Sequence, residues 1–173
     1  MKIMSVKNEF KCVVLEPAFP FSDILELFKA RKVFYEDPDN FLADMDDRKL
    51  MLDVQRIEGP DLYSGDFFNP EGAEFILYKN NTQIVGSASL KITESLGEAS
   101  FLSGYVQSSH RGKRLADLFY EARETYVREH STCSLLSMWI DPENLSSRKA
   151  AERNGFKYAR LNGMAKMVYE KTL

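Results

Sequence analysis

The sequence is poor in residues that build covalent or metal frameworks. It has 2 cysteines and 2 histidines in 173 residues, with no ligand-like spacing among them. That excludes a disulfide scaffold and gives no metal site to predict. Cys12 and Cys133 sit in apolar, strand-like stretches and are expected to be free core thiols in a reducing compartment. No apolar run approaches the roughly 18 residues that a membrane span needs. Residues 1–14 mix Lys, Asn and Glu with short apolar pieces rather than forming a leader, so the expectation is a cytoplasmic protein with no membrane partner. An excess of positive charge is also missing. Lys and Arg total 23 against 26 Asp and Glu, a formal net charge of −3. A general nucleic-acid binder needs a basic face, so no nucleic-acid partner is predicted. What is present is an apolar fraction of 44%, enough at this length for one domain with a real core and too little chain for two.

Short apolar runs bounded by turn residues predict strands at 11–15, 73–79, 83–92, 99–106, 133–140, 156–159 and 165–169. Asn80-Asn81, Leu96-Gly97 and Asn162-Gly163 supply turns between them. Gly104, inside the fourth run, predicts a bulge or a close backbone approach that would free backbone groups for a ligand. Ser22 caps a helix that carries Ile24, Leu27 and Phe28 to about Tyr35. Asn40 starts a weaker one with Phe41, Leu42, Met45 and Leu52 inward. The acidic residues between Glu36 and Asp53 read as a solvated face, or alternatively as a rim attracting a cationic acceptor. Residues 55–72 have loop chemistry, with Tyr63, Phe67 and Phe68 covering a cleft edge or packing on the core.

The stretch from Ala99 to Asn154 organises the rest. A strand runs into the basic turn Gln107–Arg114, then a helix continues to about His130. Leu115, Leu118, Phe119, Ala122, Tyr126 and Val127 form its apolar face, with Glu121, Arg123, Glu124 and Arg128 outside. A second strand, the turn Asp141-Pro-Glu-Asn144 and a short helix ending at Asn154-Gly155 follow. Consecutive N–H groups at a helix N-terminus bind phosphate without needing a particular side chain. Arg111, Lys113 and Arg114 add charge there, pointing to a pyrophosphate-bearing cofactor between two strands that splay apart. His110 is expected to face solvent, and His130 to end its helix as a dipole partner.

At these residues the chain resembles GNAT-superfamily N-acyltransferases, most of all the RimJ/RimL group. Arg111-Gly112-Lys113-Arg114-Leu115-Ala116 matches the family's Arg/Gln-x-x-Gly-x-Gly/Ala motif, with Arg114 where the family has glycine. Asn144-Leu-Ser-Ser147 and Gly155-Phe156 match its second motif. Ala151 stands where many relatives carry a tyrosine acting as general acid. The resemblance implies an α/β (α+β) GNAT fold: a mixed, mostly antiparallel twisted sheet of six to seven strands, flanked by about four helices, with central strands splayed. One domain would span residues 1–173, with 1–72 on the acceptor side and 73–173 as the acetyl-CoA-binding core.

It also implies acetyl-CoA as donor and a primary amine as acceptor, either a peptide or protein N-terminus or a small amine such as a polyamine. Cofactor contacts would come from Tyr105, Val106, Arg111, Gly112, Lys113, Arg114, Leu115, Ala116, Asn144 and Ser147. A backbone N–H near Val106 would hold the oxyanion. Glu98, on the same alternating face as Ser100, is the expected base, with Glu74 as a weaker alternative. Ser147 is the expected acid. Trp139 would make one site wall aromatic, where some relatives carry a glutamate. Arg114, Ala151 and the uncertain base favour a different class, a non-catalytic acyl-CoA-binding regulatory domain. A homodimer is one of the open assembly states.

Overall fold

The computed structural model describes residues 2–15, 26, 29–30, 33 and 72–173. The helix proposed from Asn40, the acidic segment up to Asp53 and the loop aromatics Tyr63, Phe67 and Phe68 lie outside the described residues. So do Ser22, Ile24, Leu27 and Phe28.

One sheet of eight strands forms the body, in the order β1-β2-β3-β4-β5-β6-β8-β7. The strands are β1 (Lys2–Lys7), β2 (Phe10–Leu15), β3 (Gly72–Lys79), β4 (Gln83–Thr93), β5 (Glu98–Val106), β6 (Leu135–Ile140), β7 (Lys157–Leu161) and β8 (Met167–Thr172). Every neighbouring pair is antiparallel except β5 and β6, which are parallel. Helix α1 (Ala116–His130) connects that parallel pair, and α2 (Leu145–Arg153) connects β6 to β7.

The eighth strand is β1, which the sequence pattern does not announce. Only Ser5 on it is fully buried, so it shows no apolar alternation. Its terminal residues Lys2 and Lys7 are the kind of charge that protects a sheet edge from further pairing. Ser5 Oγ donates to the Leu118 carbonyl at 3.0 Å, which fixes this edge to α1.

Both faces of the sheet are covered. On one, Phe119, Ala122, Tyr126 and Val127 of α1 pack on Phe75, Leu77, Val85 and Leu90. On the other, helical residues Ala30 and Val33 lie against Val13, Leu15, Ile76, Tyr78 and Ile84. This two-sided covering explains why β3 and β4 read as almost continuous apolar runs rather than alternating ones.

Turn chemistry follows the residues. Asn80 and Asn81 take left-handed φ values of 50° and 65°, a conformation asparagine tolerates unusually well. Cys12 and Cys133 are buried free thiols, and burial pushes the Cys12 thiol up to about 12.

Two side chains sit differently from their sequence-based placement. His110 is buried, not solvent-facing. It meets the Phe10 ring edge-on at 6.1 Å, because the unanticipated β1–β2 hairpin covers it. Arg123 is buried as well, 3% exposed, so α1 is enclosed over more of its circumference than its apolar stripe suggests.

Candidate active site

The parallel pair β5–β6 holds for three rungs only, Glu98–Leu135, Ala99–Leu136 and Ser100–Ser137. Beyond Ser100 and Ser137 the strands part. The opening is a cleft of about 750 Å³ walled by β5, the turn before α1, β6 and α2. The opposite edge of β5 carries the expected bulge. Ser87 opposes Tyr105 and Ser89 opposes Leu102, so Ser103 and Gly104 share a single partner, Ala88. The positive φ falls on Ser103, at 45°, rather than on the glycine. Gln107 N–H donates to the Val85 carbonyl at 2.8 Å. By strand alternation, the Val106 N–H therefore points away from β4, toward the parted side.

At the outer end of the cleft lies the turn 111–116. Arg111 Nε donates to the Val106 carbonyl at 2.9 Å, which ties the turn to the end of β5. The Arg111 side chain is thereby partly engaged. Gly112 and Arg114 both have left-handed backbones, with φ of 79° and 57°. Thus Arg114 takes a conformation that glycine reaches without steric cost. The N–H groups of Gly112, Lys113, Arg114, Leu115 and Ala116 have no acceptor among the described residues. No side chain caps α1 either. A Cβ placed on Gly112 would meet nothing within 4 Å, so the cradle is open. Five consecutive donors at a helix N-terminus, flanked by Lys113 and Arg114, fit a diphosphate in both chemistry and space.

The facing wall comes from β6 and α2. Asn144 caps α2, its Oδ1 accepting from Ser147 N–H at 3.0 Å, and both residues line the cleft. Trp139 is exposed along the same wall. Asp117 at the start of α1 takes two hydrogen bonds from Arg153, at 2.6 and 3.1 Å, and one from Asn154 at 2.9 Å. This clamp joins the two helices across the cleft. Partial burial of Asp117 opposes ionisation, but the guanidinium and amide prevail and hold its carboxyl below the usual range.

Glu98 does not line the cleft. It sits at the closed end of the β5–β6 pair, where Ser137 Oγ donates to its carboxylate and Ser100 Oγ does so at 3.4 Å. The two hydroxyls are 3.2 Å apart. Ala99 and Phe101 belong to the core shared with α1, so Glu98 and Ser100 face the opposite side of the sheet. Glu74 is buried and accepts from Ser89 Oγ at 2.7 Å. Tyr105 contributes to the cleft wall, while its hydroxyl donates to the Val33 carbonyl at 3.3 Å. Ala151 is fully buried in α2.

Sequence reasoning missed Arg123, which lines the cleft floor beside the bulge. The available signal was its position, since it falls one helical turn after Phe119 and at i+3 from Tyr120. A hydrophobic scale nonetheless assigns any arginine to the outer face.

The family model described as Acetyltransferase (GNAT) family matches residues 26–156. A search of curated protein sequences finds no significant match. Solved structures align along nearly the whole chain at low identity. A ribosomal-protein-S5-alanine acetyltransferase from Vibrio fischeri is 10% identical, with 98% of this chain and 96% of that chain covered at a TM-score of 0.65. The PaiA N-acetyltransferase from Thermoplasma acidophilum, in complex with coenzyme A, is 13% identical, with 94% and 99% covered and a TM-score of 0.63. A Salmonella typhimurium acetyltransferase that modifies the N-terminal serine of ribosomal protein L7/L12 is 16% identical, with 99% of each chain covered at 0.58. With the splayed strands and the open amide cradle in place, the family match is decisive: the chain belongs to the acetyltransferase (GNAT) family and is an acetyl-CoA-dependent N-acyltransferase.

Proposed function

We propose that the acceptor is the α-amine of a peptide or protein N-terminus, and that Glu98 and Ser147 serve its acetylation as base and acid. The observation that carries this reading is the Glu98–Ser137–Ser100 cluster at the last paired rung. It places one carboxylate at the closed end of the β5–β6 pair, linked by two hydroxyls to the last paired rung, on the face away from α1. An α-amine with a pKa of about 7.7–8.0 is partly neutral near pH 7 and needs only modest base assistance, unlike a lysine-like amine near 10.4. The Salmonella neighbour's name specifies the N-terminal serine of a ribosomal protein, and the Vibrio neighbour's an alanine of ribosomal protein S5, which supports the same acceptor class.

Acetyl-CoA supplies a thioester carbonyl. The amides of 112–116 and the charges of Lys113 and Arg114 hold its diphosphate, while Tyr105, Val106 and Asn144 flank its arm. The Val106 N–H faces the charge that develops on the carbonyl oxygen. Glu98 receives the amine proton through Ser100 and Ser137, and Ser147 hydrogen-bonds the departing sulfur. The described residues 73–173 act as the cofactor core, with 1–72 on the acceptor side.

The test is thiol release from acetyl-CoA across N-terminal peptides and polyamines, with Glu98→Gln and Ser147→Ala alongside. Turnover on peptides, and a fall of at least about tenfold in Glu98→Gln, are expected. Saturable turnover on polyamines alone would assign the small-amine acceptor instead. Falls below tenfold in both variants would remove these two roles and leave the cofactor site intact.

A further inference from the structure

A cation at the inner end of the cleft makes no ion pair among the described residues. Arg123 Nε donates to the Phe119 carbonyl at 3.1 Å, and Nη1 donates to the Ser89 and Leu102 carbonyls, each at 3.3 Å. Ser89 and Leu102 are the register pair immediately before the bulge. The guanidinium lies over the Phe101 ring at 4.2 Å, which fixes its plane. Nη2 has no acceptor among the described residues. It stands 3.7 Å from where a Cβ on Gly104 would lie, at the cleft wall.

The charge meets no ion-pair partner among the described residues, although Glu74 on β3 favours it through space. The titratable groups facing it are Tyr120 from its own helix, Cys12 from β2 and Glu74 from β3. Burial pushes the Tyr120 hydroxyl up and the Cys12 thiol up to about 12, so both stay neutral. Burial lowers Arg123 only to about 10, and the guanidinium remains charged at neutral pH.

A diphosphate at 112–116 puts the reactive end of the cofactor toward the apex, where Phe101, Gly104, Met138 and Arg123 meet. The residue that many relatives use to protonate sulfur is replaced here by Ala151, fully buried. We propose that Arg123 supplies the positive charge that stabilises the sulfur as it departs, the task a proton donor at position 151 performs elsewhere. This rests on acetyl transfer occurring in this cleft. The amine nitrogen forms the new bond to carbon and its proton passes to the base. The carbon–sulfur bond breaks with its electron pair on sulfur. The thiolate, hydrogen-bonded by Ser147, then takes its proton by way of that hydroxyl, which solvent replenishes.

The experiment titrates the thiol of bound coenzyme A through the ultraviolet absorbance of its thiolate, in the wild type, Arg123→Lys and Arg123→Met. In the wild type the bound thiol should titrate below that of free coenzyme A in the same buffer. Arg123→Met should return it upward by about one unit, with Arg123→Lys between, as loss of a nearby cation requires. In parallel, kcat should fall at least about tenfold in Arg123→Met while KM for acetyl-CoA stays within about threefold. Should the methionine variant not fold, the wild-type and lysine titrations decide. A wild-type bound thiol at or above the free value overturns the proposal. So does an unchanged thiol titration in a variant whose kcat has fallen, because that marks Arg123 as merely structural. Wild-type protein that binds no coenzyme A overturns the cofactor site itself, a separate and earlier failure.

Discussion

Arg114 holds a backbone conformation that its side chain disfavours. Its φ of 57° costs roughly 1–2 kcal/mol for a non-glycine residue, against which glycine's extra chain entropy is about 0.5–1 kcal/mol. Arg114→Gly is therefore expected to stabilise the protein by about 0.5–1 kcal/mol, read as a higher urea midpoint at unchanged slope. Gly112→Ala imposes the same penalty at a φ of 79° and should destabilise by about 1–2 kcal/mol. His110 offers a second test of local environment. Burial, reinforced by Lys113 and Lys79, holds its pKa below the ordinary value. As pH falls through about 6.5, the unfolded chain takes up a proton that the folded chain resists, so stability declines with acidification. His110→Gln should flatten that decline between pH 7 and pH 5.5 in chemical denaturation.

Elements were legible where one face decided their pattern. Helix α1 showed its stripe because six apolar residues point to a single sheet, and β6 read as a central strand because Leu136, Ser137, Met138 and Ile140 are buried between β5 and β8. β1 was invisible because an edge strand with one buried side chain carries no period. Arg123 was assigned to the wrong face because its partners are backbone carbonyls exposed by a bulge, which leave no mark in composition. The clamp between α1 and α2 was likewise unreadable, since Asp117 and Arg153 are far apart in sequence. Its consequence can be measured. The Asp117 carboxyl is held down by Arg153 and Asn154 against the effect of burial. Its contribution is thus present above the unfolded value of about 3.9 and lost as pH falls below it. Asp117→Asn should cost about 1 kcal/mol or less at pH 7, because the pair is partly exposed. The variant should also lose less stability than wild type between pH 5 and pH 3. A larger, pH-independent effect belongs to the helix cap, and Asn144→Ala should destabilise by about 1 kcal/mol.

At the scale of the molecule, one sheet behaves as two halves. Strands β1–β5 with α1 form one side, and β6–β8 with α2 the other. Three parallel rungs and the Asp117–Arg153–Asn154 clamp join them around the cleft. The sequence motifs marked both lips of this opening, the turn at 111–116 and the cap at Asn144. They could not show its depth, which depends on where β5 and β6 cease to pair. A ligand that bridges the lips should therefore stabilise the whole protein. Coenzyme A at a hundred times its Kd is expected to add about 2.7 kcal/mol if it binds only the folded state. The added protection should not be uniform. Amide exchange should slow most at residues 112–116, whose N–H groups lack acceptors, and at Val106, whose N–H faces the parted side. Amides of β2 and β3, already paired on both sides, should change only through the global term. Raising the ionic strength weakens contacts between exposed charges, so the gain should shrink with salt if Lys113 and Arg114 hold the diphosphate. Protection spread evenly over the sheet, with no local maximum at the turn, would show that the ligand binds elsewhere.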